Sequence, residues 1–196
     1  MADDRLRQQL AFIAEVDRLK RVLRRNYLVG GERRENTGEH SWHVALAAMI
    51  LAEYSDEPVD VGHVIKMLLV HDIVEIDAGD TFAYDAAGHQ DKDEREQRAA
   101  DRIFGLLPDD QRAELRALWD EFEALETPEA RFARAVDIFM PMFHNTSSEG
   151  RGWRENGVTS EQIFNRQQQI GAASEVLRQQ ARAIVAEAVE RGYLKP

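Results

Sequence analysis

Apolar residues recur along this chain with a period near that of an α-helix and almost never alternate, which predicts helix after helix. Leu6, Leu10, Ile13, Val16, Leu19 and Leu23 form one such stripe and predict an amphipathic helix over residues 3–25. The stretch YLVGGERREN follows, broken by Gly30 and Gly31. Asn36 then stands three residues before Glu39, the spacing of a capping box, so a second helix is expected from there to Tyr54. Its VALAAMILA segment is apolar on most faces, which marks it as central. Asp60 is placed to cap a third helix ending near Ile76. Further helices are expected over 91–105, from Pro108 and Asp109 to Leu125, and over PEARFARAVDIFMPMF behind the start Thr127-Pro128. Pro141 is expected to kink or end the last of these. The segments VTSEQIFNRQQQI and SEVLRQQARAIVAEAVERGYL close the set. With no strand signal, the expected fold is all-α: one domain over 1–196 with about seven to eight helices. Its core lies within about 36–145, and the C-terminal helices of 159–194 pack on it.

One segment departs from this pattern. In KMLLVHDIVEIDAGD, residues 66–80, an apolar helix runs into His71, Asp72, Glu75, Asp77 and Asp80. Buried carboxylates are costly unless something positive meets them. A metal ion bound by His71 and Asp72 is the economical answer. Two other residues could join it. His40 lies in the first turn of the second helix, and Asp137 stands alone in the apolar run AVDIF. Two histidines and two carboxylates on rigid helices make an N/O site for a divalent cation. The partial positive charge of a helix N-terminus is expected to keep His40 neutral and ready to ligate. His43, one turn on, is read as a packed or hydrogen-bonding residue with ligation as the alternative.

Composition narrows the class. The 196 residues are 43% hydrophobic and 31% charged, ordinary for a globular domain. The absence of cysteine excludes disulfides, thiolate metal sites and a cysteine nucleophile. A charged start and the lack of a long apolar run argue against a signal peptide or membrane span, so a cytoplasmic protein is expected. The net charge of −11 argues against a nucleic-acid polymer as partner. Arg18, Lys20, Arg21, Arg24, Arg25, Arg33 and Arg34 nevertheless cluster just before His40, either as a solvated face or to hold a small phosphorylated ligand.

His40, then His71-Asp72, then Asp137 resembles the H…HD…D signature of HD-domain metal-dependent phosphohydrolases. The fuller string EHSWHVA…HDIVEIDAGD…ARAVD resembles the branch that holds bacterial 5′-deoxynucleotidases and their eukaryotic HD-domain relatives. The resemblance runs from about Leu19 to the final helix. It implies an all-helical fold and hydrolysis of phosphate from a small nucleotide. It also implies one divalent cation, drawn from Mn, Co, Mg, Zn, Ni or Fe, held by His40, His71, Asp72 and Asp137. By the same resemblance Glu75 and Asp80 are the acidic catalytic residues and Arg25 holds the phosphate. Where the branch has Arg-Trp, this chain has Arg25-Asn26, so contacts to sugar or base are expected to differ.

The chemistry of these residue types supports the assignment. Glu75, near His71 and Asp72 on one helical face, can orient a water or take its proton. Asp80, past Gly79, can protonate the leaving alkoxide or take part in activating water, and the sequence does not assign acid and base between the two. Other readings are an HD-type phosphodiesterase, a nucleoside triphosphate hydrolase, an HD-fold iron oxygenase and a non-catalytic metal-binding protein. The triphosphate reading is disfavoured by few cations outside 18–34. The di-iron reading is disfavoured because only His89 lies between the HD pair and Asp137. His63, His89 and His144 are assigned to the surface or loops, and Asp77 to a capping or solvated role with direct catalysis as the alternative. Trp153 and Trp119 read as packing residues, and GRGWRENGVT as a potential lid. The apolar faces of the terminal helices make a homodimer plausible.

Overall fold

The computed structural model describes residues 2–195. Ten α-helices occur among them: α1 (Ala2–Val16), α2 (Thr37–Leu51), α3 (Val61–Val70), α4 (Glu75–Ala78), α5 (Lys92–Phe104), α6 (Asp109–Ala124), α7 (Pro128–Ser147), α8 (Arg151–Glu155), α9 (Ser160–Gln167) and α10 (Glu175–Glu190). Eight of them are eight residues or longer, in line with the expected number. The mainly helical architecture follows the sequence pattern, but one strand pair does not. β1 (Leu23–Tyr27) and β2 (Arg34–Asn36) form an antiparallel hairpin where a helix was expected to reach residue 25.

The chain leaves α1 at Val16, tightens into a 3-10 turn over Asp17–Arg21, and extends. The apolar stripe ends here for a tertiary reason. Leu19 is buried, whereas Leu23 is exposed and its strand pairs with β2. Gly30 and Gly31 turn the hairpin with positive φ, and the Leu28 amide donates to the Arg33 carbonyl at 3.0 Å. A register irregularity between Leu23 and Tyr27 bulges β1 and buries both Asn26 and Tyr27. An isolated hairpin is marginal in water, and this one rests on α7 and α8 through β1 and on α2 through β2.

The expected caps form. Asn36 and Glu39 make a reciprocal capping box on α2, Asp60 accepts from Gly62 and His63 at the start of α3, and Thr127 caps α7 with Pro128 in its first turn. Pro141 neither ends nor replaces α7, which continues to Ser147; the proline only withholds a donor from the carbonyl one turn back. Helices α2, α3 and α7 pack on one another, with α10 against α7. Ala45, Ala48, Ala133 and Ala135 are buried in these contacts, the small side chains letting axes approach. Met67 and Leu68 of α3 are fully buried, each contributing roughly 1.5–3 kcal/mol of transfer free energy. A second cluster joins α1, α5 and α6 through Phe12, Phe104 and Trp119.

Two boundaries bear on function. Helix α3 stops at Val70 rather than near Ile76, and His71 is its C-terminal cap. Residues 71–74 form a turn, and α4 starts afresh at Glu75. The segment read as a potential lid holds a packed turn of helix, α8, with Trp153 buried. No helix among the described residues is long and apolar enough to cross a membrane.

Candidate active site

Three packed helices deliver the histidines and Asp137 to one place. The capping box fixes the first turn of α2, and with it Thr37 and His40. The apolar face of α3 sinks its C-terminal end, so His71 emerges buried and Asp72 partly buried. Asp137 projects from the middle of α7, where Val136 and Ile138 anchor the backbone.

The polar atoms converge closely. His40 Nε2 lies 3.0 Å from Asp137 Oδ1 and 3.9 Å from Asp72 Oδ2. His71 Nε2 lies 3.2 Å from Asp72 Oδ2 and 3.7 Å from Asp137 Oδ1. His40, His71 and Asp72 offer ligand atoms all within 4.8 Å of one another, and Asp137 joins them through the two imidazoles.

The chemistry of this set fits a cation. His71 Nδ1 donates to the Leu68 carbonyl at 2.8 Å, which leaves the Nε2 lone pair facing the carboxylates in a neutral ring. That Nε2 is buried without a hydrogen-bond partner. Three acceptors meeting in a buried space require a positive species between them. A proton can supply it: burial opposes the charge, but Asp72 and Asp137 push the His71 imidazole up to about 10. A divalent ion held by the same atoms would displace that proton. His40 is subject to the same opposition. Burial and Arg24 favour the neutral ring, yet Asp137 and Glu35 outweigh them and raise it. Conversely, burial would raise Asp72 and Asp137, but the facing histidines hold both below the usual carboxylate range.

The remaining acids sit beside this cluster. Arg24 Nη1 is 2.9 Å from Asp72 Oδ2, 3.6 Å from Asp80 Oδ1 and 4.0 Å from Glu75 Oε1. Thr37 donates its hydroxyl to Glu75 Oε2 at 2.8 Å. Burial, reinforced by Asp72, raises Glu75 well above an ordinary glutamate; burial also raises Asp80, against the pull of Arg24. Gly79 caps α4 with φ +75°, a conformation that turns the chain so that Asp80 comes back to the cavity.

A cavity of about 240 Å³ opens onto Asp72, Glu75, Asp80 and Asp137. Arg25 lines it but is exposed, with no ion pair among the described residues, whereas Arg24 is partly buried and is the partner of the acids. Strand alternation separates these adjacent arginines. Most of the remaining basic cluster is solvated: Arg18, Lys20 and Arg33 are exposed and pair with Glu15, Asp17 and Glu39. Lys92, Arg134 and Arg166 also reach the cavity, which removes the shortage of cations expected to disfavour a triphosphate. The Arg166 side chain is half-buried there and makes no hydrogen bond or ion pair among the described residues.

Sequence reasoning did not find Arg24, Thr37 or Glu35 as parts of the site. Glu35 is 1% exposed, with Oε2 3.4 Å from His40 Nδ1. A carboxylate behind a ligating histidine fixes its orientation and raises its basicity. His144, expected at the surface, is buried beside Glu35 and against His43. His63 is partly exposed and bonded to Glu121, and His89 is exposed in a turn at the cavity rim. Asp77 pairs with Arg102 of α5 and does not line the cavity.

The chain is similar to known proteins over most of its length. The HD-domain family model matches residues 16–178. Human 5′-deoxynucleotidase HDDC2 is 33% identical over 132 residues, which are 67% of this chain and 63% of that protein. The zebrafish (Danio rerio) protein of the same name is 29% identical over 183 residues, 90% of each chain. The chain thus spans somewhat under two thirds of the human relative's length. A solved structure of a predicted metal-dependent phosphohydrolase from Magnetospirillum magnetotacticum superposes with a TM-score of 0.95 at 52% identity, covering 100% of this chain and 98% of that one.

Proposed function

The chain belongs to the HD-domain family, and from that premise we propose that it is a divalent-metal-dependent phosphomonoesterase acting on a (deoxy)nucleoside 5′-monophosphate. The observation that carries this reading is the meeting of His71 Nε2, Asp72 Oδ2 and Asp137 Oδ1 in a buried space beside two further acids with raised pKa values. His40, His71, Asp72 and Asp137 are assigned as ligands of one ion, with Mn, Co, Mg, Zn, Ni and Fe as the candidates. When bound, such an ion polarises a phosphoryl oxygen and lowers the pKa of water.

The protein's own groups supply the rest. Glu75, oriented by Thr37, and Asp80 divide the proton transfers between them, one receiving the proton of the attacking water and the other giving one to the leaving alkoxide. Two neighbouring acids around one guanidinium do not ionise equally, which suits them to opposite roles. Arg24 balances charge inside the cavity and Arg25 holds the phosphate at its mouth. Lys92, Arg134 and Arg166 favour a nucleoside triphosphate hydrolase as the second reading. The setting is cytoplasmic, which the cysteine-free composition suits. Exposed Ile13, Trp42 and Leu69, which line one surface depression, support a homodimer that sedimentation would detect.

Metal-stripped protein should release no phosphate from nucleoside monophosphates and regain the activity with manganese or cobalt. Metal-independent turnover, or none across mono- and triphosphates with any divalent ion, would refute the assignment. Preference for triphosphates would favour the second reading.

A further inference from the structure

Behind His40, on the side away from the catalytic cavity, lies a second convergence of ligand atoms. Glu35, His43 and His144 each offer one atom, and all lie within 4.8 Å of one another. They come from three elements: β2, the second turn of α2, and the end of α7. His144 Nε2 is 3.1 Å from His43 Nδ1, and His144 Nδ1 is 3.6 Å from Glu35 Oε1. The second of these distances is too long for a hydrogen bond.

One buried atom in this group is left unsatisfied. His144 Nδ1 has no hydrogen-bond partner, although His144 is 2% exposed and Glu35, whose Oε1 faces it, is 1% exposed. Unpaired buried polar atoms are rare and costly, so a native arrangement normally gives them a partner. A surface depression of about 310 Å³, lined in part by Leu28, Val29, Trp42 and His43, reaches both residues from solvent. It does not share these residues with the catalytic cavity. A small solute can therefore arrive without passing the phosphate site.

We propose that Glu35, His43 and His144 form a second metal site, specific for a borderline divalent cation of the zinc class. Two imidazoles and one carboxylate are a set that zinc, cobalt(II) and nickel(II) accept, with an open position left for water. Magnesium and calcium, which want oxygen, would bind poorly. The site is distinct from the position between the HD pair and Asp137 that a di-iron centre would need, where the chain offers only exposed His89. Glu35 links the two centres, because its other oxygen faces the Nδ1 of His40. Occupancy of the second site is therefore felt by a ligand of the first.

Zinc and cobalt stoichiometry decides the matter. Dialysed wild-type protein should carry about one equivalent more zinc than His43→Gln, measured by elemental analysis after removal of weakly bound metal. His43 is half-exposed, and circular dichroism should show the variant folded. In Asp137→Asn protein, weakened at the first site, added cobalt(II) should still give ligand-field absorption. That absorption should vanish when His43→Gln or His144→Gln is added. Equal zinc content in wild type and His43→Gln overturns the proposal, as does cobalt absorption in Asp137→Asn that neither histidine variant removes.

Discussion

The guanidinium of Arg24 donates to Asp72 at 2.9 Å, so the cavity's inner cation is bonded to a residue of the HD pair itself. Its neighbour Arg25 faces the mouth of the same cavity and is exposed. The two should fail differently. Arg24→Ala is expected to lower kcat/KM for a nucleoside monophosphate by about 100-fold, as loss of a preorganised charge at a transition state does. Arg25→Ala should act chiefly on KM, by about tenfold. Steady-state phosphate release measures both, and the reverse ranking would make Arg25 the principal phosphate ligand.

Glu75 and its hydroxyl donor make a graded pair. Glu75→Gln should cut turnover by about 100-fold or more while leaving metal content intact, the signature of a lost proton carrier. Thr37→Val removes only the bond that orients Glu75, and about a tenfold fall in kcat with unchanged metal is expected. Loss of bound metal in Glu75→Gln would instead make that residue a ligand.

Manganese should stabilise the fold through Asp137. At about 100 times its Kd, a ligand that binds only the folded state adds about 2.7 kcal/mol. For a chain of this size that corresponds to roughly 5–10 °C in Tm. Asp137→Asn should abolish the shift in differential scanning fluorimetry. A shift retained by the variant would remove Asp137 from the ligand set.

Tyr84 offers a test by pH away from the ion. Burial pushes its phenol up to about 12, against the pull of Arg166. A proton held more tightly when folded means stability that is complete below the unfolded pKa of about 10 and is lost as pH rises through the folded value. Between pH 9 and 12 the wild type should therefore lose about 2 kcal/mol more than Tyr84→Phe. Urea midpoints at the two pH values report the difference; parallel losses would place the phenol in water.

Long periodic segments and caps were legible in the sequence because they depend on residues near one another. The capping box of α2, the Thr127-Pro128 start and the buried alanines of α2 all follow from local pattern. The hairpin was not legible. Five residues of β1 with charges at Arg24 and Arg25 carry no alternation, and only their packing on α7 and α8 makes them a strand. Arg24 was overlooked for that reason, since a helical reading does not separate it from Arg25. Glu35 and His144 gave no local sign of burial, because what buries them arrives from elements far away in the chain. The site residues brought in by resemblance lie close together here, and their roles await the measurements above.

The hairpin has an evolutionary corollary. Side chains on a strand change face with every residue, so a one-residue insertion ahead of Arg24 that shifted the β1–β2 register would exchange the two arginines. The inner cation would become the outer one without any change of residue type. Length changes confined to the tip around Gly30 and Gly31 would leave the ladder untouched. Homologues should therefore vary in length at the tip and keep the residue count between Arg24 and the end of α1 constant.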